Sequence, residues 1–212
     1  MKLIGKTIFY FCILFVFLIC APEPVVTGED KNPIELFNTP HMEMIDNLDT
    51  IKTEIDGINF TIKLKYRYKI SGIVLSKKRY SGGWQGKLVP YDFALAWGEL
   101  LKDDLYKKVK WWQEARWYHW IYGNDFPKDH SFIARYSSNN HLIPATKNIL
   151  YALNKIKKGD VVEFSGYLVN LDGTKGGNNF WWHSSTSTND TGAGSCELIY
   201  LTRLRFNGMI YE

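Results

Sequence analysis

The residues most able to do chemistry crowd into one stretch of this 212-residue chain. From Trp181 to Glu197 the sequence gathers His183, Cys196, the carboxyls of Asp190 and Glu197, seven hydroxyls and two glycines. Three chemistries fit these residue types. The first is suggested by Asp190-Thr191-Gly192-Ala193, which has the local form of an aspartic protease motif. That chemistry needs two carboxylates sharing a proton, and the triplet should follow an apolar strand. Here Ser187-Thr188-Asn189 precedes it and only twenty residues follow Gly192, so the protease reading is set aside. The second is a cysteine nucleophile. Cys196 would need a histidine base within hydrogen-bond reach, His183 or His141. Against it, free cysteine is among the most buried residue types, and Cys196 could simply open a strand and point into the core. The third is ligand binding. Asp190, Thr191 and Gly192 could present successive backbone N–H groups to an anion, with Trp182, Ser184 and Ser185 beside them. Its competitor is a structural loop in which Asp190 and Thr191 bond their own backbone.

Other chemistries find less support. His119, His130 and His141 are spaced eleven apart, which suits no common metal motif, and no metal or other cofactor is expected. Gly82-Gly83 and Gly176-Gly177 read as turns and not as phosphate loops. Cys12 and Cys20 lie in an apolar run, which leaves Cys196 without an intramolecular disulfide partner in the domain that follows. Without Lys2 and Lys6 the formal charge falls from +4 to +2, too weak an electrostatic footprint for nucleic acid.

The N-terminus reads as an export segment. Lys2 and Lys6 precede an apolar run, Thr7 to Ala21, and Pro22-Glu23-Pro24 ends it. Residues 1–21 are expected to be a signal peptide or an N-terminal membrane anchor, with lipidation at Cys20 a third option. In each case the domain lies outside the cytoplasm, contacting the membrane through residues 7–21 if the segment is retained. Residues 22–50 carry four prolines and few apolar positions, and read as a linker that becomes a docking segment. Residues 51–212 form the domain.

The elements that must position the candidate residues follow from periodicity. Phe60 to Ile70 alternates strictly, predicting a half-buried strand that continues through Ile73-Val74-Leu75. Pro90, with Phe93, Ala96, Trp97 and Leu100 at helical spacing, predicts a short helix over 91–97 in which Asp92 complements the dipole. Trp111 to Tyr122 is dense in aromatics and reads as one strand. Ala145 to Lys157 is the clearest helix, with Ile149, Leu150, Leu153 and Ile156 as its stripe and Gly159 as its stop. Val161 to Asn170 is a β-branched strand with a break at Gly166, where a small barrel would bend. Turns at Asp172-Gly173 and Gly176-Gly177 precede a short strand, 180–185. The hydroxyl-rich loop and a last long strand, 197–206, close the chain.

Several segments together resemble a family of uncharacterised bacterial proteins that usually carry an N-terminal membrane segment. They are Pro90-x-Asp92-x-Ala94-Leu95-Ala96-Trp97-Gly98, Asn140-His141-Leu142-Ile143-Pro144-Ala145, Gly159-Asp160-Val161-Val162 with Gly166-Tyr167-Leu168-Val169, and Trp182-x-Ser184-Ser185 through Asp190-Thr191-Gly192-Ala193-Gly194-Ser195-Cys196-Glu197. The resemblance covers roughly residues 70–205 and implies a bacterial envelope setting without a mechanism. This chain departs from the family at Thr188 or Asn189, where an arginine would be expected.

The expected fold is α+β: a curved, mainly antiparallel sheet or small, partly open barrel of OB type, with one main helix. The expected function is a non-catalytic envelope domain that binds a partner protein or cell-wall ligand through the 183–197 loop. The alternative is a cysteine-dependent enzyme with Cys196 as nucleophile and His183 or His141 as base.

Overall fold

The computed structural model describes residues 22–46, 49–186 and 196–212. Two short strands, β1 (Gly28–Glu29) and β2 (His41–Met44), precede β3 (Thr50–Ile55) and the 22-residue β4 (Ile58–Arg79). A short helix α1 (Gly83–Leu88) leads into β5 (Tyr91–Ala96), and kinked 3-10 turns over Gly98–Lys108 lead to the hairpin β6 (Val109–Glu114) and β7 (Trp117–Tyr122). Then come α2 (His130–Arg135), β8 (Ser137–Pro144), α3 (Lys147–Lys155), β9 (Val161–Lys175), β10 (Asn178–His183), β11 (Glu197–Phe206) and β12 (Met209–Tyr211).

Five of these strands close on themselves. β4 pairs antiparallel with β5 and β9, β5 pairs antiparallel with β8, β8 pairs parallel with β11, and β11 pairs antiparallel with β9. The fold is therefore α+β, a curved mixed sheet rolled into the strand circuit of an OB-type barrel, with α3 in the connection from β8 to β9. Period-two alternation on each barrel strand sends one row of side chains inward, among them Phe93, Leu142, Phe164 and Ile199, and α3 adds Ile149, Leu153 and Ile156 to this cluster. Thr146 starts α3 by accepting the N–H of Ile149 at 3.2 Å. A second apolar cluster, with Ile62, Ile143, Val169 and Leu198, packs on the other side of the barrel strands.

Gly166 lies where β9 crosses β11. A Cβ there would sit 2.1 Å from the carbonyl oxygen of Tyr200, so the close approach of the two strands admits only glycine. Residues 22–46 lie along the barrel: β1 pairs with β12, β2 pairs with β4, and buried Arg205 holds Asp30 at 3.1 Å.

Three sequence expectations are corrected. Residues 91–97 are not a helix: Tyr91–Ala96 is a strand buried along its whole length. It pairs on both edges and is covered on both faces, so no polar alternation betrays it, and its apolar run imitates helical spacing. Asp92 thus has no helix dipole to complement. Residues 111–122 are not one strand but two, reversed at Ala115 and Arg116, whose φ values of 48° and 72° are left-handed. Asp172-Gly173 is not a turn; both lie inside β9, paired with Thr61 and Phe60 of β4. Among the described residues no helix is long and apolar enough to cross a membrane. The apolar run 7–21 lies outside the described residues.

Candidate functional site

The site is built on the outer face of three adjacent barrel strands. Asp92 on β5 stands opposite His141 on β8, and His141 stands opposite Leu198 on β11. Alternation then places Asn139, two residues before His141, on the same face. Cys196, two residues before Leu198, joins it at the mouth of β11. The β4–β5 connection, which contains α1, flanks this face.

Asp92 is fully buried, and a carboxylate at such depth requires charged partners. Arg116 is one, with Nη1 2.8 Å from Oδ1, and His141 Nδ1 also lies 2.8 Å from that oxygen. The histidine contact is close but off the axis of the ring N–H, an electrostatic contact more than a straight hydrogen bond. With Nδ1 beside Asp92, Nε2 is the ring nitrogen left without that neighbour. The Trp182 ring packs on the imidazole with centroids 4.7 Å apart.

Arg116 comes from the β6–β7 turn, which folds down onto this face. Its Nη1 also donates to the carbonyl of Val89 at 2.9 Å, its backbone N–H donates to the Tyr80 hydroxyl at 3.1 Å, and its guanidinium lies 3.7 Å over the Tyr80 ring. Asn139 fastens the turn from below. Its Nδ2 donates to the Arg116 carbonyl at 2.9 Å, while Gln113 Nε2 donates to its Oδ1 at 3.0 Å. The same Nδ2 lies 3.8 Å from Cys196 Sγ. Burial first, and then the Asp92 carboxylate, hold the Tyr80 phenol above its ordinary pKa against the opposing pull of Arg116.

These groups line a cleft of about 610 Å³, whose walls include Tyr80, Arg116, His141, Trp182 and Cys196. Trp117, Trp181 and His183 stand at its mouth. Cys196 is half-buried and lines this cleft instead of pointing into the core. The two candidate bases differ. His141 is 3 % exposed and held by Asp92, whereas His183 is exposed, 3.3 Å from Asp172 Oδ1, with its ring against Trp181. Asp172 itself is held below the usual carboxylate range, chiefly by its bond to Lys63.

Of the residues expected to bind a ligand, Trp182 is in the cleft wall. Ser184 and Ser185 instead tie the loop base together. Ser184 Oγ accepts the N–H of Leu198 at 2.9 Å and donates to the Ser185 carbonyl at 2.8 Å, and the Ser185 N–H donates to the Cys196 carbonyl at 3.0 Å. Asp190, Thr191 and Gly192 lie outside the described residues, as does Thr188. Asp92, Arg116, Tyr80 and Asn139 were missed by sequence reasoning. Asp92 left a trace there: a lone carboxylate inside the apolar run Tyr91 to Trp97 must be either on a surface or buried with a partner. Arg116 left none, because its position depends on a turn that its own residue type disfavours.

No group of three His, Cys, Asp or Glu side chains suited to a metal ion occurs among the described residues. Comparison with protein-family models, curated proteins and solved structures finds no match to the chain.

Proposed function

We propose that this protein is an exported, cysteine-dependent enzyme of the acyl-transfer class. Cys196 is the nucleophile, His141 the proton-transfer group, and Asp92 the buried carboxylate that positions the imidazole. One observation carries the reading: His141, with Nδ1 2.8 Å from Asp92 Oδ1, lines the same cleft as Cys196. The thiolate is the reactive form of cysteine, and a neighbouring imidazole with a fixed orientation is the usual means of generating it. In the reaction, His141 Nε2 takes the thiol proton and Sγ bonds to the substrate carbonyl carbon. The tetrahedral adduct collapses, its leaving group takes the proton from His141, and a thioester remains. Water or another acceptor, deprotonated by the same imidazole, then releases the acyl group and restores the thiol. Asn139 Nδ2 is a donor beside the reacting sulfur, with its amide orientation held by Gln113.

Export is part of the proposal and is supported by the apolar run 7–21 behind Lys2 and Lys6. It places the cleft among envelope proteins and cell-wall components, with the membrane as a contact if that run is retained. A second reading keeps the cleft as a binding site without catalysis. It is favoured by the tryptophans at the mouth, of which Trp181 is 72 % exposed.

Alkylation of the folded protein separates the two. The enzyme reading expects iodoacetamide to label Cys196 near neutral pH about tenfold or more faster than free cysteine, and His141→Ala to remove that advantage. A Cys196 that reacts only after denaturation would sink the catalytic reading and leave the binding one.

A further inference from the structure

We infer that the cleft takes a substrate carrying a carboxylate close to its reacting carbonyl, and that Arg116 is the group that reads it. The inference rests on the cysteine reading for the bond attacked, but not for the recognition itself. Arg116 is held more firmly than neutralising Asp92 would require. Its Nη1 is committed to the Val89 carbonyl and to Asp92, both at 2.9 Å or less. One face of the guanidinium is covered by the Tyr80 ring at 3.7 Å, and the Trp182 ring lies 5.4 Å away. Among the described residues nothing is hydrogen-bonded to Nε or Nη2, and the side chain retains 17 % of its exposure, on the wall of the cleft. What is left for a ligand is an in-plane edge of N–H donors. That geometry suits a flat, two-oxygen anion lying in the guanidinium plane.

Charge narrows the class further. Asp92 already neutralises the Arg116 guanidinium, so a ligand here is held by directed N–H donors more than by net charge, which suits a singly charged carboxylate better than a phosphate dianion. Backbone strain points the same way. Arg116 is held at φ 72° beside Ala115 at φ 48°, a turn that residues with a Cβ adopt at a cost, and strain of this kind collects where a side chain must be aimed. Trp117 and Trp181 line the same cleft and add apolar surface beside the guanidinium.

The test uses two alkylating reagents that differ in charge. In both, Sγ bonds to the methylene carbon as iodide leaves, but iodoacetate carries a carboxylate and iodoacetamide does not. Free thiolates favour the amide. We expect the folded protein to reverse that order, with iodoacetate faster by about tenfold and saturating with concentration. Arg116→Gln should abolish the reversal, and Arg116→Lys should keep part of it; the ratio of the two rates cancels any change in thiolate population. Acetate should protect Cys196 from both reagents more effectively than inorganic phosphate at equal concentration. An unreversed order, a reversal that survives Arg116→Gln, or better protection by phosphate overturns the inference.

If neither reagent labels the folded protein, the cysteine reading fails and recognition is read without the thiol. Tryptophan fluorescence of Cys196→Ala, titrated with benzoate and with benzamide, then decides. Saturable binding of benzoate alone, lost in Cys196→Ala/Arg116→Gln, upholds the inference. Equal response to both, or to neither, overturns it.

Discussion

Asp92 is the residue on which the site turns. It is a buried carboxylate whose one oxygen faces both a guanidinium and an imidazole, and the other oxygen has no hydrogen-bond partner among the described residues. Such a group is tolerated only because its partners are in place. Replacing it with an amide keeps the shape and removes the charge. Asp92→Asn should therefore lower stability by about 3 kcal/mol in urea denaturation, since it leaves the Arg116 charge uncompensated in a mostly buried position. It should also slow Cys196 alkylation near neutral pH as His141 loses its orientation. Loss of stability without slower alkylation would make Asp92 a structural group only. His141 and Cys196 were legible in the sequence as candidates, because few residue types do nucleophilic chemistry. That they line one cleft was not legible, because 55 residues separate them and only the parallel register of β8 and β11 brings the start of β11 beside Asn139 and His141.

At the scale of elements, the β6–β7 hairpin and α3 show opposite compromises. The hairpin turns through two non-glycine residues in left-handed backbone, at a cost of about 1–2 kcal/mol per residue. Ala115→Gly should raise stability by about 1 kcal/mol in denaturant unfolding by removing one of these costs. The same change should loosen Arg116, reducing the preference of Cys196 for iodoacetate over iodoacetamide. A more stable protein with an unchanged preference would separate the strain from the site. In α3, by contrast, the C-terminus is satisfied from outside. Lys77 of β4 donates to the carbonyls of Leu153, Asn154 and Ile156 at 2.7, 3.1 and 2.9 Å. Lys77→Met keeps the apolar stem and abandons these carbonyls, and should cost about 2 kcal/mol, read as a lower urea midpoint. The helix was plain in the sequence from its apolar stripe, its lysine-rich end and Gly159. The lysine that caps it was not, since it belongs to a strand seventy-odd residues earlier.

For the molecule as a whole, burial of phenols inside and against the barrel sets an alkaline limit. Burial, and then the Glu197 carboxylate, raise Tyr68 well above its ordinary value. Burial likewise raises Tyr118, with Glu197 and Cys196 adding to it and a hydrogen bond to Ser137 opposing. In the unfolded chain these phenols ionise near about pH 10. Above that pH the folded protein holds protons that the unfolded chain has lost, so folding takes up protons and stability falls. Each phenol should contribute a slope of about −1.4 kcal/mol per pH unit, read from urea midpoints across the alkaline range, while below about pH 10 neither contributes. Tyr68→Phe and Tyr118→Phe should each flatten the slope; if they do not, other groups set the limit. Among the described residues Tyr68 Oη has no hydrogen-bond partner, so its loss as a phenol should be mild at neutral pH.

The sequence by itself determined what local patterning controls. The alternation of β4, the stripe and stop of α3 and the strand 197–206 follow from side-chain period, and the break at Gly166 from the poor fit of glycine within a strand. Together they were enough for a curved α+β barrel with one main helix. Only the tertiary structure decided what β5 is and what Asp92 does. A strand covered on both faces has no period of its own, so its identity comes from its neighbours, β4 and β8. The candidate site has the same origin. Asp92, Arg116, His141 and Cys196 come from three barrel strands and a hairpin turn, and they gather around one cleft only once the barrel has closed.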